Sequence, residues 1–163
     1  MRALVALTRV RPGEGKAVLL FSTYAFLLLV CYYILKTLRE PLLLTHGSAE
    51  SKSYAYAVIA LVLLVLVPAY GSLFRRAERA QVLRWVTVLF LASLELFFFL
   101  GRSGVNIGFA YYVWVGVFGV TMLAQFWAHA ADSFDVDSGK RLFPMIMLGA
   151  TLGALLGPQL VSA

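Results

Sequence analysis

Five long runs of apolar residues dominate this chain and leave it few ways to fold. Each approaches the roughly 20 residues that a helix needs to cross a bilayer. The runs cover residues 17–35, 54–73, 85–100, 109–128 and 143–163, and a further apolar stretch extends the first of them to 45. None alternates apolar and polar residues with a period of two, as membrane β-strands do. The sequence therefore predicts an all-α integral membrane fold with about five transmembrane helices.

The composition supports the same class. Apolar residues make up 61% of the 163 residues and charged residues 13%. Soluble domains average roughly 45–50% apolar and about 25% charged residues, so this chain has too little polar surface for a water-soluble globule. The lipid bilayer is therefore its first predicted partner. The single cysteine, Cys31, lies within the first run, which excludes a disulfide framework.

Positive charges are distributed unevenly between the two sides of the predicted helices. Ten of the 14 lysines and arginines fall in the N-terminal segment and in the loops after the second and fourth runs. Cytoplasmic loops carry such an excess. We therefore expect residues 1–16 to form a cytoplasmic arm and residues 17–163 a transmembrane domain, an incomplete bundle. Because the basic residues lie in short loops, they indicate topology and not nucleic-acid binding.

A charged cluster interrupts the first apolar run. Lys36 is followed by Arg39 and Glu40 at spacings of three and four residues, which place them on one helix face, and Tyr33 lies one turn earlier. Ionisable groups at this depth usually face a cavity or a substrate path. Arginine presents a fork to phosphate or carboxylate and lysine a point charge. Two interpretations stay open: an anion-binding patch, or side chains that snorkel to the membrane boundary.

Glu95 is an acidic residue in the middle of the third apolar run. A carboxylate that faces lipid at that depth is unfavourable. We therefore expect Glu95 to face a cavity, to pair with a cation or to be protonated, and we include it among the candidate substrate-binding residues. A buried structural hydrogen bond is the alternative.

Glycines recur at every fourth residue of the fifth run, at Gly149, Gly153 and Gly157. Small residues at this spacing let two helix backbones approach closely, so we predict a helix-packing face. Lys140 and Arg141 precede this run and are predicted to lie in a cytoplasmic loop. The sequence has no phosphate-binding glycine loop, catalytic triad or metal-spaced Cys/His set. We therefore predict neither an enzyme nor a bound metal or cofactor.

Two stretches carry a family resemblance. The first is Leu35-Lys36-Thr37-Leu38-Arg39-Glu40 followed by Leu43-Leu44-Thr45 and Gly47, and the second is Phe126-Trp127 with Ala130 and then Lys140-Arg141. In residue type and spacing they resemble the ATP/ADP translocases, the nucleotide transporter family of intracellular bacteria and plastids, which has a major-facilitator-like fold. The resemblance extends over most of the chain.

The resemblance implies a twelve-helix antiporter of which this chain supplies the first five helices, with the missing C-terminal helices as a further partner. It implies that Lys36 and Arg39 contact an anionic substrate such as ATP or ADP, moved by alternating access across a bacterial inner membrane. Family members that exchange ATP and ADP carry an acid in the fourth helix, and residues 109–128 contain none. The alternative function is a non-transporting membrane anchor or regulatory module of a longer protein.

Overall fold

Five α-helices make up the structure, a computed structural model that describes residues 10–11, 13–45, 47, 49–74 and 79–162. In chain order they are α1 (Gly15–Leu44), α2 (Ala49–Phe74), α3 (Arg79–Arg102), α4 (Gly108–Ser133) and α5 (Val136–Ser162). Within these ranges there is no β-strand. The shortest helix has 24 residues and is about 36 Å long at 1.5 Å per residue. By length and composition all five are able to cross a membrane, which confirms the predicted all-helical class with helices of membrane-spanning length.

The helices extend beyond the apolar runs that predicted them. The clearest case is α5, which begins at Val136 and not at 143, so that Lys140 and Arg141 lie in a helix and not in the predicted loop. The cause is an N-cap: the main-chain carbonyl of Asp135 accepts a hydrogen bond from the Gly139 amide at 2.8 Å. The side-chain carboxylate of Asp135 also accepts a hydrogen bond from the backbone amide of Ser138, three residues later. Apolarity marks the length that faces lipid, whereas caps mark where the helix ends.

Helix α1 continues through Pro41 to Leu44, the longer of its two predicted ends. Proline lacks the N–H of an internal helical residue and leaves the carbonyl four residues earlier without its helical donor, an interruption that membrane helices tolerate. The carbonyl of Pro41 accepts hydrogen bonds from the amide of Thr45 at 3.0 Å and from its hydroxyl at 2.8 Å. Arg39 and Glu40 therefore lie inside a continuous helix and not at its end.

The helices form two compact units, and α1 and α4 contribute to both. The first unit contains the described residues up to Thr37 and those from Met122 onward, and the second is Leu38–Thr121. The buried cores are Ala25, Phe126, Ile146 and Ala150 in the first unit and Leu43, Ala55, Ile59 and Tyr112 in the second. Many large apolar side chains of α2 and α3 are exposed, which is compatible with contact to lipid.

Part of the predicted cytoplasmic arm lies outside the described residues, namely residues 1–9 and 12. The described part of the arm leads directly into α1, which already includes Gly15 and Lys16. Arg75 and Arg76, two of the charges used to orient the chain, also lie outside the described residues. The cytoplasmic position of the arm stays a prediction.

Candidate functional site

In the first unit, α5 packs closely against α1 through its glycines. A Cβ added to Gly149 would overlap the main-chain carbonyl oxygen of Ser22. One added to Gly153 would overlap that of Phe26, one helical turn further along α1. Because these contacts are with backbone and not with flexible side chains, any larger residue must push the two helices apart. The glycine spacing read from the sequence thus corresponds to a close helix–helix contact.

The third glycine of this series lies beside the turn of α1 that carries Tyr33 and Lys36. A Cβ added to Gly157 would lie 2.8 Å from the Cβ of Tyr33. The Nζ of Lys36 lies 5.1 Å from the ring centroid of Tyr33 and 5.9 Å from that of Tyr32, within the range of cation–π attraction. The hydroxyl of Thr37 donates to the Tyr33 carbonyl at 2.8 Å. Among the described residues, this half-buried lysine therefore contacts aromatic rings and forms no ion pair with a carboxylate.

Arg39, in the second unit, is the most deeply buried charge of the predicted cluster, with 7% of its surface exposed. Its guanidinium carbon lies 4.4 Å from the ring centroid of Tyr112 in α4, and Tyr112 is fully buried. The Nε of Arg39 is buried and has no hydrogen-bond partner among the described residues. Buried polar atoms are rarely left unpaired. Arg39 is thus a desolvated cation with an aromatic neighbour and an open donor position.

Glu40 forms an ion pair with Lys52, from the start of α2. The sequence analysis placed Glu40 on the same helix face as Lys36. In the structure its described counter-ion comes instead from across the turn between α1 and α2. Consecutive helix residues such as Arg39 and Glu40 do not face each other. The charge of Glu40 is therefore directed towards Lys52.

Glu95 is exposed on α3, and no described residue forms an ion pair or hydrogen bond with it. The packed face of α3 presents Phe90, Ser93 and Phe97 to Trp114 of α4, whose indole N–H donates to the Ser93 hydroxyl at 2.8 Å. Glu95 lies two residues after Ser93, which is about 200° around a helix, so it points away from that face. Neither the predicted cation nor the alternative buried hydrogen bond is found for it in the second unit.

Arg141 forms a two-point contact with Glu14, which precedes α1. Its two terminal nitrogens lie 3.1 and 2.9 Å from the carboxylate oxygens of Glu14, and the hydroxyl of Ser138 donates to the same carboxylate at 3.3 Å. Hydrogen bonds from Arg141 and then from the Arg11 amide lower the pKa of Glu14 to about 2. Lys140, by contrast, is exposed. The two basic residues of this pair therefore have different surroundings.

Three partners at these sites escaped the sequence analysis, namely Tyr112, Lys52 and Glu14. Only Glu14 left a usable signal, because it is the one acid among the four basic residues of the first 16 positions. Lys52 is the one basic residue of its loop, but nothing in its spacing identifies Glu40 as its partner. Tyr112 is an aromatic residue in an aromatic-rich helix, and its contact with Arg39 depends on tertiary packing alone.

Comparison with known proteins identifies no relative of this chain. No protein-family model matches the chain, and no curated protein or solved structure matches it. The resemblance carried by α1 and by the segment around Phe126 and Trp127 therefore stays a prediction. Function has to be inferred from the surroundings of the chain's own side chains.

Proposed function

We propose that this chain is part of a secondary carrier that moves an anion by alternating access, related to the ATP/ADP translocases and their major-facilitator-like fold. The observation that carries the proposal is the state of Arg39: buried, charged, and with an Nε that no described residue pairs. A phosphate or carboxylate of the substrate would supply the missing acceptor. The proposed location is a bacterial inner membrane, with the N-terminus in the cytoplasm.

The burial of Arg39 favours a substrate contact over a boundary residue. An arginine that only marks the membrane boundary extends its head into water and stays exposed there. Removing a guanidinium from water costs several kcal/mol, which a well-placed counter-ion can offset. The Tyr112 ring contributes on the order of 2 kcal/mol to a desolvated cation, which offsets only part of that cost. An anion that binds Arg39 would thus bind a cation that is already desolvated in the folded protein.

The other members of the predicted site receive different roles. Lys36, one helical turn earlier in α1, is the second cation that the family resemblance implies, and Tyr33 holds its ammonium group. Glu40 is paired with Lys52, so we assign it to the link between α1 and α2 and not to direct substrate contact. Glu95, exposed on α3, is proposed to balance charge during transport.

Uptake into proteoliposomes by the intact protein tests this proposal. Labelled ATP, ADP, inorganic phosphate and dicarboxylates are compared in wild type and in Arg39→Gln. Truncating one partner of a buried hydrogen-bonded charge pair costs about 2–5 kcal/mol, so uptake should fall about 30-fold or more. Lys36→Gln should also reduce uptake.

Arg102→Gln is the matched control, because Arg102 is exposed and lies over Phe98 at the end of α3. It should transport like wild type. Unchanged uptake in Arg39→Gln would remove Arg39 from the substrate site. Uptake of none of these anions by correctly inserted wild-type protein would favour the membrane-anchor alternative.

A further inference from the structure

An open groove of about 580 Å³ lies where α4 ends and α5 begins. Its wall is largely apolar and includes Phe134, Val136, Phe143, Pro144 and Met147. Both helices are long and apolar enough to cross a membrane. Their ends therefore lie near the level at which the hydrocarbon core gives way to lipid headgroups. An apolar groove at this level is suited to a lipid chain.

Two opposite charges line the same groove, Asp135 and Lys140. Both side chains are exposed. The carboxylate of Asp135 is ionised at neutral pH, and hydrogen bonding to Ser138 lowers its pKa further below the ordinary value. The neighbouring Arg141 is engaged by Glu14 and does not line the groove. The groove thus offers one anion and one cation, with no net excess of either sign.

We propose that this groove binds a zwitterionic phospholipid with a primary ammonium group, phosphatidylethanolamine. Lys140 contacts the lipid phosphate, Asp135 accepts hydrogen bonds from the ammonium, and an acyl chain lies along Phe143 and Met147. The proposal is independent of transport, because none of these residues belongs to the anion site around Arg39.

The charge pattern distinguishes this lipid from the two obvious competitors. A phosphatidylcholine headgroup has the same charges, but its trimethylammonium has no N–H to donate to Asp135, and charge-assisted hydrogen bonds are the strong ones. A phosphatidylglycerol headgroup carries a negative charge and no ammonium. It would satisfy Lys140 but would be repelled by Asp135.

Trp127 provides a reporter for occupancy of the groove, because its ring centroid lies 5.9 Å from that of Phe143. Trp85 and Trp114 are replaced by phenylalanine, and the protein is placed in phosphatidylcholine vesicles. Small fractions of acyl-brominated phosphatidylethanolamine, phosphatidylcholine or phosphatidylglycerol are then added, and quenching of Trp127 fluorescence is measured. We expect an apparent affinity about tenfold higher for phosphatidylethanolamine than for either competitor, as one charge-assisted hydrogen bond predicts.

Two substitutions test the assigned contacts. Asp135→Asn keeps a good helix cap but removes the charge, and should abolish the preference for phosphatidylethanolamine over phosphatidylcholine. Lys140→Gln should weaken binding of all three phospholipids. Asp137→Asn and Lys16→Gln are the matched controls, since both residues are exposed and neither lines the groove. They should leave the preference intact.

Native mass spectrometry of the protein with all its tryptophans intact provides a second measurement. Phosphatidylethanolamine should be retained in wild type and lost in Asp135→Asn. Equal quenching by the three lipids would overturn the proposal, as would retention that is the same in wild type and Asp135→Asn. A preference for phosphatidylglycerol would assign the groove to anionic lipid instead.

Discussion

The guanidinium of Arg39 lies over the ring of Tyr112, with 4.4 Å between its central carbon and the ring centroid. Arg39 belongs to the last turns of α1 and Tyr112 to the first turns of α4. Both side chains are buried. Within the part of the chain that the structure describes, the ring is the contact that fixes where the buried cation lies.

The Arg39–Tyr112 contact predicts that the ring matters more than the hydroxyl. Tyr112→Phe keeps the ring and should leave stability and uptake close to wild type. Tyr112→Leu removes it, and should lower the free energy of unfolding by about 2–4 kcal/mol through lost cation–π attraction and a cavity. Unfolding in detergent micelles measures both variants. Tyr54→Leu, at a site that is 66% exposed, serves as the control. Equal stability of Tyr112→Leu and Tyr112→Phe would contradict the prediction.

The contact between α5 and α1 predicts that small increases in side-chain size are unfavourable. Gly149→Ala and Gly153→Ala each place a methyl group against a main-chain oxygen of α1, which should cost about 1–3 kcal/mol of unfolding free energy. Gly71→Ala in α2 is the matched control, because a Cβ there meets nothing within 4 Å. It should be neutral or stabilise by up to about 1 kcal/mol through helix propensity. Indistinguishable melting curves for all three variants would show that the close approach does not contribute to stability.

Helix class, helix number and the glycine face were predictable because each depends on a local pattern. About 20 apolar residues make a membrane helix wherever they occur, and glycines at every fourth residue share a face whatever they pack against. Helix ends were less predictable, since α5 begins at the cap of Asp135 and not at the first apolar residue.

The partners of the charged residues were not predictable in the same way. The spacing of Lys36 and Glu40 indicates a shared helix face, but the pairing of Glu40 with Lys52 depends on the turn that brings α2 beside α1. Arg141 was recognised as basic, but its carboxylate partner Glu14 lies before the first helix. Such pairs depend on tertiary packing, which no local periodicity encodes.

The Glu14–Arg141 contact predicts a defined pH dependence of stability. The pKa of Glu14 is lowered from 4.5 to about 2 in the folded protein. For a carboxyl group with a depressed folded pKa, the stabilisation is present above the unfolded value and is lost as the pH falls through the folded value. Arg141 stays charged throughout this range. The contribution of Glu14 should therefore be constant down to about pH 4.5 and disappear by about pH 2.

Melting temperatures of wild type and Glu14→Gln in detergent, measured from pH 7 to pH 2, isolate this contribution from that of other carboxylates. The difference in melting temperature between the two proteins should stay constant down to about pH 4.5 and then disappear. In an Arg141→Gln background the substitution of Glu14 should have a much smaller effect, because residues in contact are not additive. If the difference in melting temperature were unchanged at pH 2, the carboxylate charge would not be what stabilises the contact.

Replacing Arg39 by glutamine should have opposite effects on the stability of the ligand-free protein and on its stabilisation by a bound anion. Among the described residues no carboxylate forms an ion pair with Arg39, and an uncompensated buried charge is unfavourable. Arg39→Gln should therefore raise the free energy of unfolding of the ligand-free protein by about 1–2 kcal/mol. A bound anion at 100 times its dissociation constant should stabilise wild type by about 2.7 kcal/mol, but should not stabilise the variant. Melting curves with and without ATP, ADP or inorganic phosphate measure both effects. Arg102→Gln, at an exposed site, should change neither, and an Arg39→Gln protein that is less stable than wild type without ligand would identify Arg39 as a structural residue of the second unit.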